Sequence, residues 1–289
     1  MNGHSPIGVF DSGLGGLSVA RELRALVPAE DILYYADGAY CPYGVRPEGE
    51  IERRSLAIAG WLVRRGAKAM VVACNTASSV ALDAVRERFG AGCPIVGVEP
   101  AVRPAVAVTR TGRVAVLATP RTATGARLAR LVAHHAGAVR VTTVAAPGLV
   151  DLIETGETDG EAVRALLAPL LLPLVAVGVD TLVLGCTHYP FVAKAIRSLI
   201  GPGVAIMDSG AAVARRTRDV LAIQGRLRPA MGGGGLSVVT SGDADRFGRI
   251  ASRLLGMPVA ARHVPVGDES ESLRGVGRAD DAVVLAGGA

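Results

Sequence analysis

The sequence predicts an α/β protein: two similar parallel-sheet α/β lobes facing each other, with the active site between them. Three observations lead there. Half of the 289 residues are apolar but only 3% are aromatic, so Val, Ala and Leu must form the core, as in parallel sheets covered by helices. Short β-branched runs alternate with longer helical patterns, which is the signature of successive βαβ units. The chain also echoes itself. Ala69-Met-Val-Val-Ala-Cys74-Asn-Thr resembles Thr181-Leu-Val-Leu-Gly-Cys186-Thr-His, each a buried strand, a cysteine, small polar residues and then a helix.

In chain order, Ile7–Phe10 reads as a strand, Leu17–Leu26 as a helix and Ile32–Tyr35 as the next strand. The helix 51–65 leads to the strand Ala69–Val72, and the helix 77–89 to the strand 95–98. The second set runs through strand 114–117, helix 125–135, strand 139–144, helix 160–176, strand Thr181–Leu184, helix 190–199 and strand 204–207. A Gly-rich loop at 231–235 precedes a strand at 237–240 and a helix over Ala244–Leu255. From 266 to 289 the pattern fades into Gly, Ser and acidic residues, a composition expected of a poorly ordered tail. The most apolar stretch, 165–179, contains Pro169 and Pro173 and is shorter than the ~20 residues of a membrane span. It reads as a buried helix. The first residues enter a strand with no signal peptide.

Net charge is +5, carried almost entirely by Arg, since Lys occurs only at 68 and 194. The arginines are scattered through helical segments in pairs such as Arg21/Arg24, Arg53/Arg54 and Arg215/Arg216. Without a concentrated basic patch or stacking aromatics they read as a solvated surface, which argues against a nucleic-acid face. The four cysteines, at 41, 74, 93 and 186, form no CxxC pair and no disulfide framework. A reducing cytoplasm is expected.

Ligands of parallel α/β sheets sit beyond the carboxyl ends of the strands. Those ends carry Asp11 and Ser12; Asp37, followed by Tyr43 and Gly44; Cys74, Asn75 and Thr76; Thr119 and Thr122; and Cys186, Thr187 and His188. Cys41 and Cys93 read as small structural residues. Cys74 and Cys186 each fall where a strand passes into a helix, and a helix N-terminus favours the thiolate. Two such thiols on opposite lobes suit inversion of a stereocentre, one removing a proton and the other returning one to the opposite face. A single Cys–His nucleophile would leave Cys74 without a task. Asn75, Thr76 and Thr187 can bind carboxylate oxygens, and Asp11 can hold an ammonium group, orient Cys74 or cap the following helix. His188 can tune Cys186 or sit in the core. Neither lysine lies at a strand end, where a pyridoxal phosphate Schiff base would need one. The histidines show no metal spacing, and Gly13-Leu-Gly-Gly16 fits no nucleotide motif. No cofactor and no metal are expected.

Several motifs, in order, resemble those of glutamate racemases, in the aspartate/glutamate racemase superfamily: Gly8-Val-Phe-Asp11-Ser12-Gly-Leu-Gly-Gly16, Pro42-Tyr43-Gly44, Ala73-Cys74-Asn75-Thr76, Gly97-Val98-Glu99-Pro100, Leu184-Gly185-Cys186-Thr187-His188-Tyr189-Pro190 and Thr240-Ser-Gly-Asp243. The resemblance implies a cofactor-independent enzyme interconverting L- and D-glutamate for peptidoglycan synthesis. It implies that Cys74 and Cys186 are the catalytic thiols, with Asp11, His188 and Glu154 as auxiliary groups. Asp11, Ser12, Tyr43, Gly44, Asn75, Thr76, Thr119, Thr122, Thr187 and His188 would bind substrate. It also implies a discontinuous first domain, 1–98 plus 208–265, around a second at 99–207. The chain departs from the family at Ala145-Ala146-Pro147, where a Cys-Pro pair is common, and at Gly125, where Ser is. Neither position is one of the two bases. Residue types alone leave aspartate open as the substrate. A homodimer without membrane contact is expected, and a contact with DNA gyrase, known for some members, is left open.

Overall fold

A computed structural model describes residues 5–229 and 232–267. Its ten strands are β1 (Ile7–Asp11), β2 (Ile32–Ala36), β3 (Ala69–Val72), β4 (Ile95–Gly97), β5 (Arg113–Ala118), β6 (Arg140–Ala145), β7 (Thr181–Leu184), β8 (Ala205–Met207), β9 (Leu236–Thr240) and β10 (Ala261–His263). The chain divides into two compact units. One comprises residues up to Val98 and from Gly210 onward; the other is Glu99–Ser209.

The first unit is built on a six-stranded sheet in the order β10-β9-β2-β1-β3-β4, with every pairing parallel. β1 and β3 are buried along their whole length, as expected of central strands covered on both faces. Phe10, Tyr35, Ile58, Leu62, Met70 and Val72 lie in one core cluster. The ring of Tyr35 meets Trp61 edge-on at 5.3 Å. The second unit has a four-stranded parallel sheet in the order β6-β5-β7-β8. Val114, Val116, Ala118 and Val183 anchor a separate core there. The first four strands of each unit therefore share one topology: the second strand pairs on one side of the first, and the third and fourth lie on the other.

Several expectations are corrected. The helix expected over 77–89 is two helices, Asn75–Val80 and Leu82–Phe89. The one expected over 190–199 is a 3-10 turn at Tyr189–Val192 followed by a helix at Ala193–Ile200. Of the apolar 165–179 stretch, residues 165–176 lie in the helix Glu161–Ala176, but this helix buries one face only, through Val163, Leu167, Leu171 and Leu174. Pro169 and Pro173 fall on its exposed side, where water can satisfy the carbonyls whose N–H partners they remove. Of the expected tail, Val266 is buried and belongs to the first core. Its residues 268–289 lie outside the described residues, as does Met231 of the Gly-rich loop.

The arginines are not all a solvated surface. Arg54 is buried, bound to the carboxylate of Asp37. Lys68 is fully buried, 2.5 Å from Glu30 Oε2, as a buried ammonium must be paired. Glu30 also accepts from the Arg228 amide, and Asp31 binds the Arg228 guanidinium and the Gly235 amide. The segment leading into β9 is pinned to the start of β2 in this way.

Candidate active site

In the first unit, β1 pairs with β2 on one side and β3 on the other. Chain direction diverges at that point, and the carboxyl ends of β1 and β3 flank a topological switch point where α/β sheets bind ligands. Asp11 ends β1 and Cys74 follows β3. Asp11 is fully buried and accepts from the Gly13 amide at 2.7 Å. It does not cap the Leu17–Leu26 helix, whose N-cap is Gly16. The Gly13–Gly16 turn is held from the sheet by the Tyr34 hydroxyl, which donates to Gly13 O at 2.7 Å.

Ser12 bridges the two strand ends. Its hydroxyl lies 3.5 Å from Asp11 Oδ1 and 3.8 Å from Cys74 Sγ. Cys74 is the N-cap of the Asn75–Val80 helix, and its sulfur accepts from the Ala77 amide at 3.4 Å. Asn75 and Thr76 open that helix and are buried. Asn75 Nδ2 is buried with no hydrogen-bond partner among the described residues, so an amide donor is available to a ligand. Tyr43 and Gly44, in the 3-10 turn Tyr43–Val45, are also buried. The Tyr43 hydroxyl donates to Asp37 Oδ2 at 2.6 Å. Burial first, then the charge of Asp37, holds this phenol well above its ordinary pKa.

The second unit repeats the arrangement. β5 pairs with β6 on one side and β7 on the other, and the ends of β5 and β7 deliver Thr119 and Cys186. Thr119 caps the helix Pro120–Thr124, and its hydroxyl lies 3.0 Å from that of Thr122. Cys186, Thr187 and His188 are buried. They form the turn before Tyr189–Val192, so Cys186 precedes a 3-10 turn rather than the α-helix expected there. Cys186 Sγ is 3.8 Å from His188 Nδ1, and His188 Nε2 is 2.6 Å from Glu154 Oε1. Glu154 ends the helix Leu149–Glu154. A carboxylate on one ring nitrogen orients the imidazole and fixes its tautomer, leaving the other nitrogen toward the thiol. Tyr189 is fully buried, and its phenol is raised by burial and then by Cys186. The Tyr189 hydroxyl lies 3.5 Å from the Ala146 carbonyl.

Each unit thus gathers a buried thiol and small hydroxyl or amide groups at equivalent strand ends, with a carboxylate supplied by a strand end (Asp11) in the first and by a helix end (Glu154) in the second. Asp11, Ser12 and Cys74 come together in one unit, and Cys186, His188 and Glu154 in the other. Lys68 lies at the amino end of β3, away from Cys74. Lys194 is exposed and paired with Asp159. Cys93 is buried 3.5 Å from Ala67 O, and burial pushes its thiol up to about 11.

The family profile described as Asp/Glu/Hydantoin racemase matches residues 7–217. The chain belongs to this family. It is an isomerase of the amino-acid racemase type. A glutamate racemase of Herpetosiphon aurantiacus is 51% identical over 245 residues, covering 85% of this chain and 96% of that one. One from Deinococcus radiodurans is 50% identical over 240 residues, 82% of each chain. Among solved structures, a glutamate racemase isoform from Bacillus anthracis matches with a TM-score of 0.84 at 33% identity, covering 92% of this chain and 99% of that one. The Escherichia coli glutamate racemase in complex with L-glutamate and the activator UDP-MurNAc-ala matches at 0.79 and 32% identity, covering 91% and 99%. Among the described residues no helix is long and apolar enough to cross a membrane.

Sequence reasoning passed over Arg54, which anchors Asp37 beneath Tyr43. Helical spacing was the available signal: Arg54 falls three residues after Ile51 and four before Ile58, on the buried face, whereas Arg53 is exposed.

Proposed function

We propose that the chain is a cofactor-independent glutamate racemase in which Cys74 and Cys186 transfer the α-proton. The observation that carries this reading is that the two buried thiols occupy equivalent switch points of two sheets with the same topology. As a thiolate, one cysteine takes the proton from Cα and becomes a thiol. The other, as a thiol, gives its proton to the opposite face of the carbanion and becomes a thiolate. The reverse reaction exchanges the roles. Asp11 acts on the first thiol through Ser12, and His188, oriented by Glu154, acts on the second. Asn75, Thr76, Thr187 and the Tyr43-Gly44 turn bind the carboxylates, where donors also stabilise the charge that develops on proton loss. Thr119 and Thr122 complete the pocket lining. Glutamate is the substrate named for the relatives that cover most of their length with this chain, and D-glutamate for peptidoglycan is the use this implies. The four free thiols fit a cytoplasmic enzyme. A homodimer, the commonest closed assembly, would sediment at twice the mass of the chain.

Purified protein incubated with L-glutamate in deuterated water, with nothing else added, should yield D-glutamate carrying deuterium at Cα. Cys74→Ala and Cys186→Ala should each lower kcat for racemisation by roughly a thousandfold or more, the scale of losing a positioned acid or base. Full activity in either variant would overturn the two-thiol mechanism. Dependence on added pyridoxal phosphate would overturn the cofactor-independent reading.

A further inference from the structure

The loop from Asp37 to Arg46 carries the Tyr43-Gly44 turn, yet its tip has little packing of its own, with Ala39 and Val45 exposed. Two side chains outside it hold it: Ser241, whose Oγ accepts from the Ala39 amide at 3.2 Å, and Arg54, which makes the larger set of bonds. The Arg54 guanidinium, on the helix Glu48–Arg64, donates from Nε to Asp37 Oδ2 at 2.9 Å and from Nη2 to Oδ1 at 2.8 Å. The same group lies over the Tyr40 ring, 4.0 Å from its centroid, and its third nitrogen donates to Val266 O at 2.6 Å. Both carboxylate oxygens of Asp37 are thereby bracketed, and each takes one more bond: Oδ2 from Tyr43 and Oδ1 from Ser241 at 2.7 Å. Tyr35, whose phenol is raised by burial and then by Asp37, also faces this carboxylate.

We propose that Arg54 is a positioning residue for substrate binding, which fixes the 37–46 loop around its guanidinium and so holds Tyr43 and Gly44 in place. The proposal rests on reading those two residues as substrate contacts. Bidentate geometry is required for it. A lysine supplies charge but cannot bracket two oxygens, stack on Tyr40 and reach Val266 at once. With both oxygens accepting from Arg54, the Asp37 carboxylate presents Oδ2 to Tyr43 in one position, so the Tyr43 hydroxyl has one orientation. Without Arg54, the loop loses the one group that joins Asp37, the Tyr40 ring and Val266 O.

The test is steady-state racemisation of glutamate by the full chain as Arg54→Met, Arg54→Lys and Tyr43→Ala, with the melting temperature of each. Arg54→Met should raise KM about tenfold or more while kcat changes by less than about threefold, since the lost interaction orders binding rather than proton transfer. Arg54→Lys should lie between Arg54→Met and the parent. A merely structural Arg54 would give a lower melting temperature with the parental KM, and that result overturns the proposal. If Arg54→Met does not fold, Arg54→Lys decides, and a parental KM there overturns it. A raised KM in Tyr43→Ala with parental values in both Arg54 variants discards Arg54 alone. An unchanged KM in Tyr43→Ala discards the substrate-contact reading and the proposal with it.

Discussion

Gly16 shows how closely the strand ends are packed. Its φ of −62° suits any residue, so conformational freedom is not why glycine stands there. A Cβ at this position would lie 2.7 Å from Asp11 Cβ, 2.8 Å from the Tyr34 hydroxyl and 3.0 Å from Ala73 Cβ. Asp11 and Tyr34 belong to central strands and cannot retreat cheaply. Gly16→Ala should therefore cost about 1–3 kcal/mol, the usual penalty for overpacking. It should also lower kcat/KM, because Asp11 must move. Gly92→Ala, where nothing lies within 4 Å of the added carbon, should be neutral in the same melts and assays. Cys74 and Cys186 were legible in the sequence because a thiol after a buried β-branched run marks a strand end. Arg54 was marked only by its helical spacing. Its partners Asp37 and Val266 lie 17 and 212 residues away, and an Arg doublet in a helical period looks like solvent-facing charge.

At the scale of elements, β3 and β7 were legible to the residue because a strand buried on both faces is an unbroken apolar run. The helices Val102–Val108, Pro120–Thr124 and Leu149–Glu154 were given no range in the sequence reading, since each spans under two turns. Gly210–Ile223 was marked only by the Arg215/Arg216 pair, because it opens on glycine with no acidic residue in its first turn. β10 has three residues and makes sense only beside β9. The turn before β5 is organised by Asp180, just ahead of β7. It accepts from the Arg110 and Thr111 amides at 2.7 and 2.9 Å, and from the hydroxyls of Thr109 and Thr181. Burial pushes this carboxyl up, but those bonds outweigh it and draw it down to about 2. A carboxyl depressed on folding stabilises the protein above its unfolded value and loses that effect as pH falls through its folded value. Asp180→Asn should thus cost about 1 kcal/mol at neutral pH, a modest figure because the group is partly solvated. In denaturant titrations the gap between parent and variant should narrow between about pH 4 and pH 2. A gap that is constant with pH would show that the carboxylate charge contributes nothing.

For the molecule as a whole, the two units differ in how the chain supplies them. The first is assembled from both ends of the sequence, whereas Glu99–Ser209 is a single continuous stretch with its own sheet and core. The repeat of strand and cysteine hinted at two lobes. The return of the chain to the first lobe has no local sign, because it depends on β9 pairing with β2, some two hundred residues earlier. A stretch with its own core is expected to fold alone. Residues 99–209 expressed by themselves should unfold cooperatively in urea, followed by circular dichroism, and should not racemise glutamate. A gradual, non-cooperative loss of signal would refute that autonomy.

The ends of that stretch are tied together, because the Ser209 hydroxyl donates to the Glu99 carbonyl at 2.5 Å. A segment that leaves and re-enters its host through adjoining residues can be lifted out like a cassette. Val98 and Gly210 are each one peptide step, about 3.8 Å, beyond the tied pair, so a linker of a few residues should close the host. The excised segment should in turn tolerate joining of its own ends and reopening elsewhere, which makes this junction the natural place for grafts between related chains.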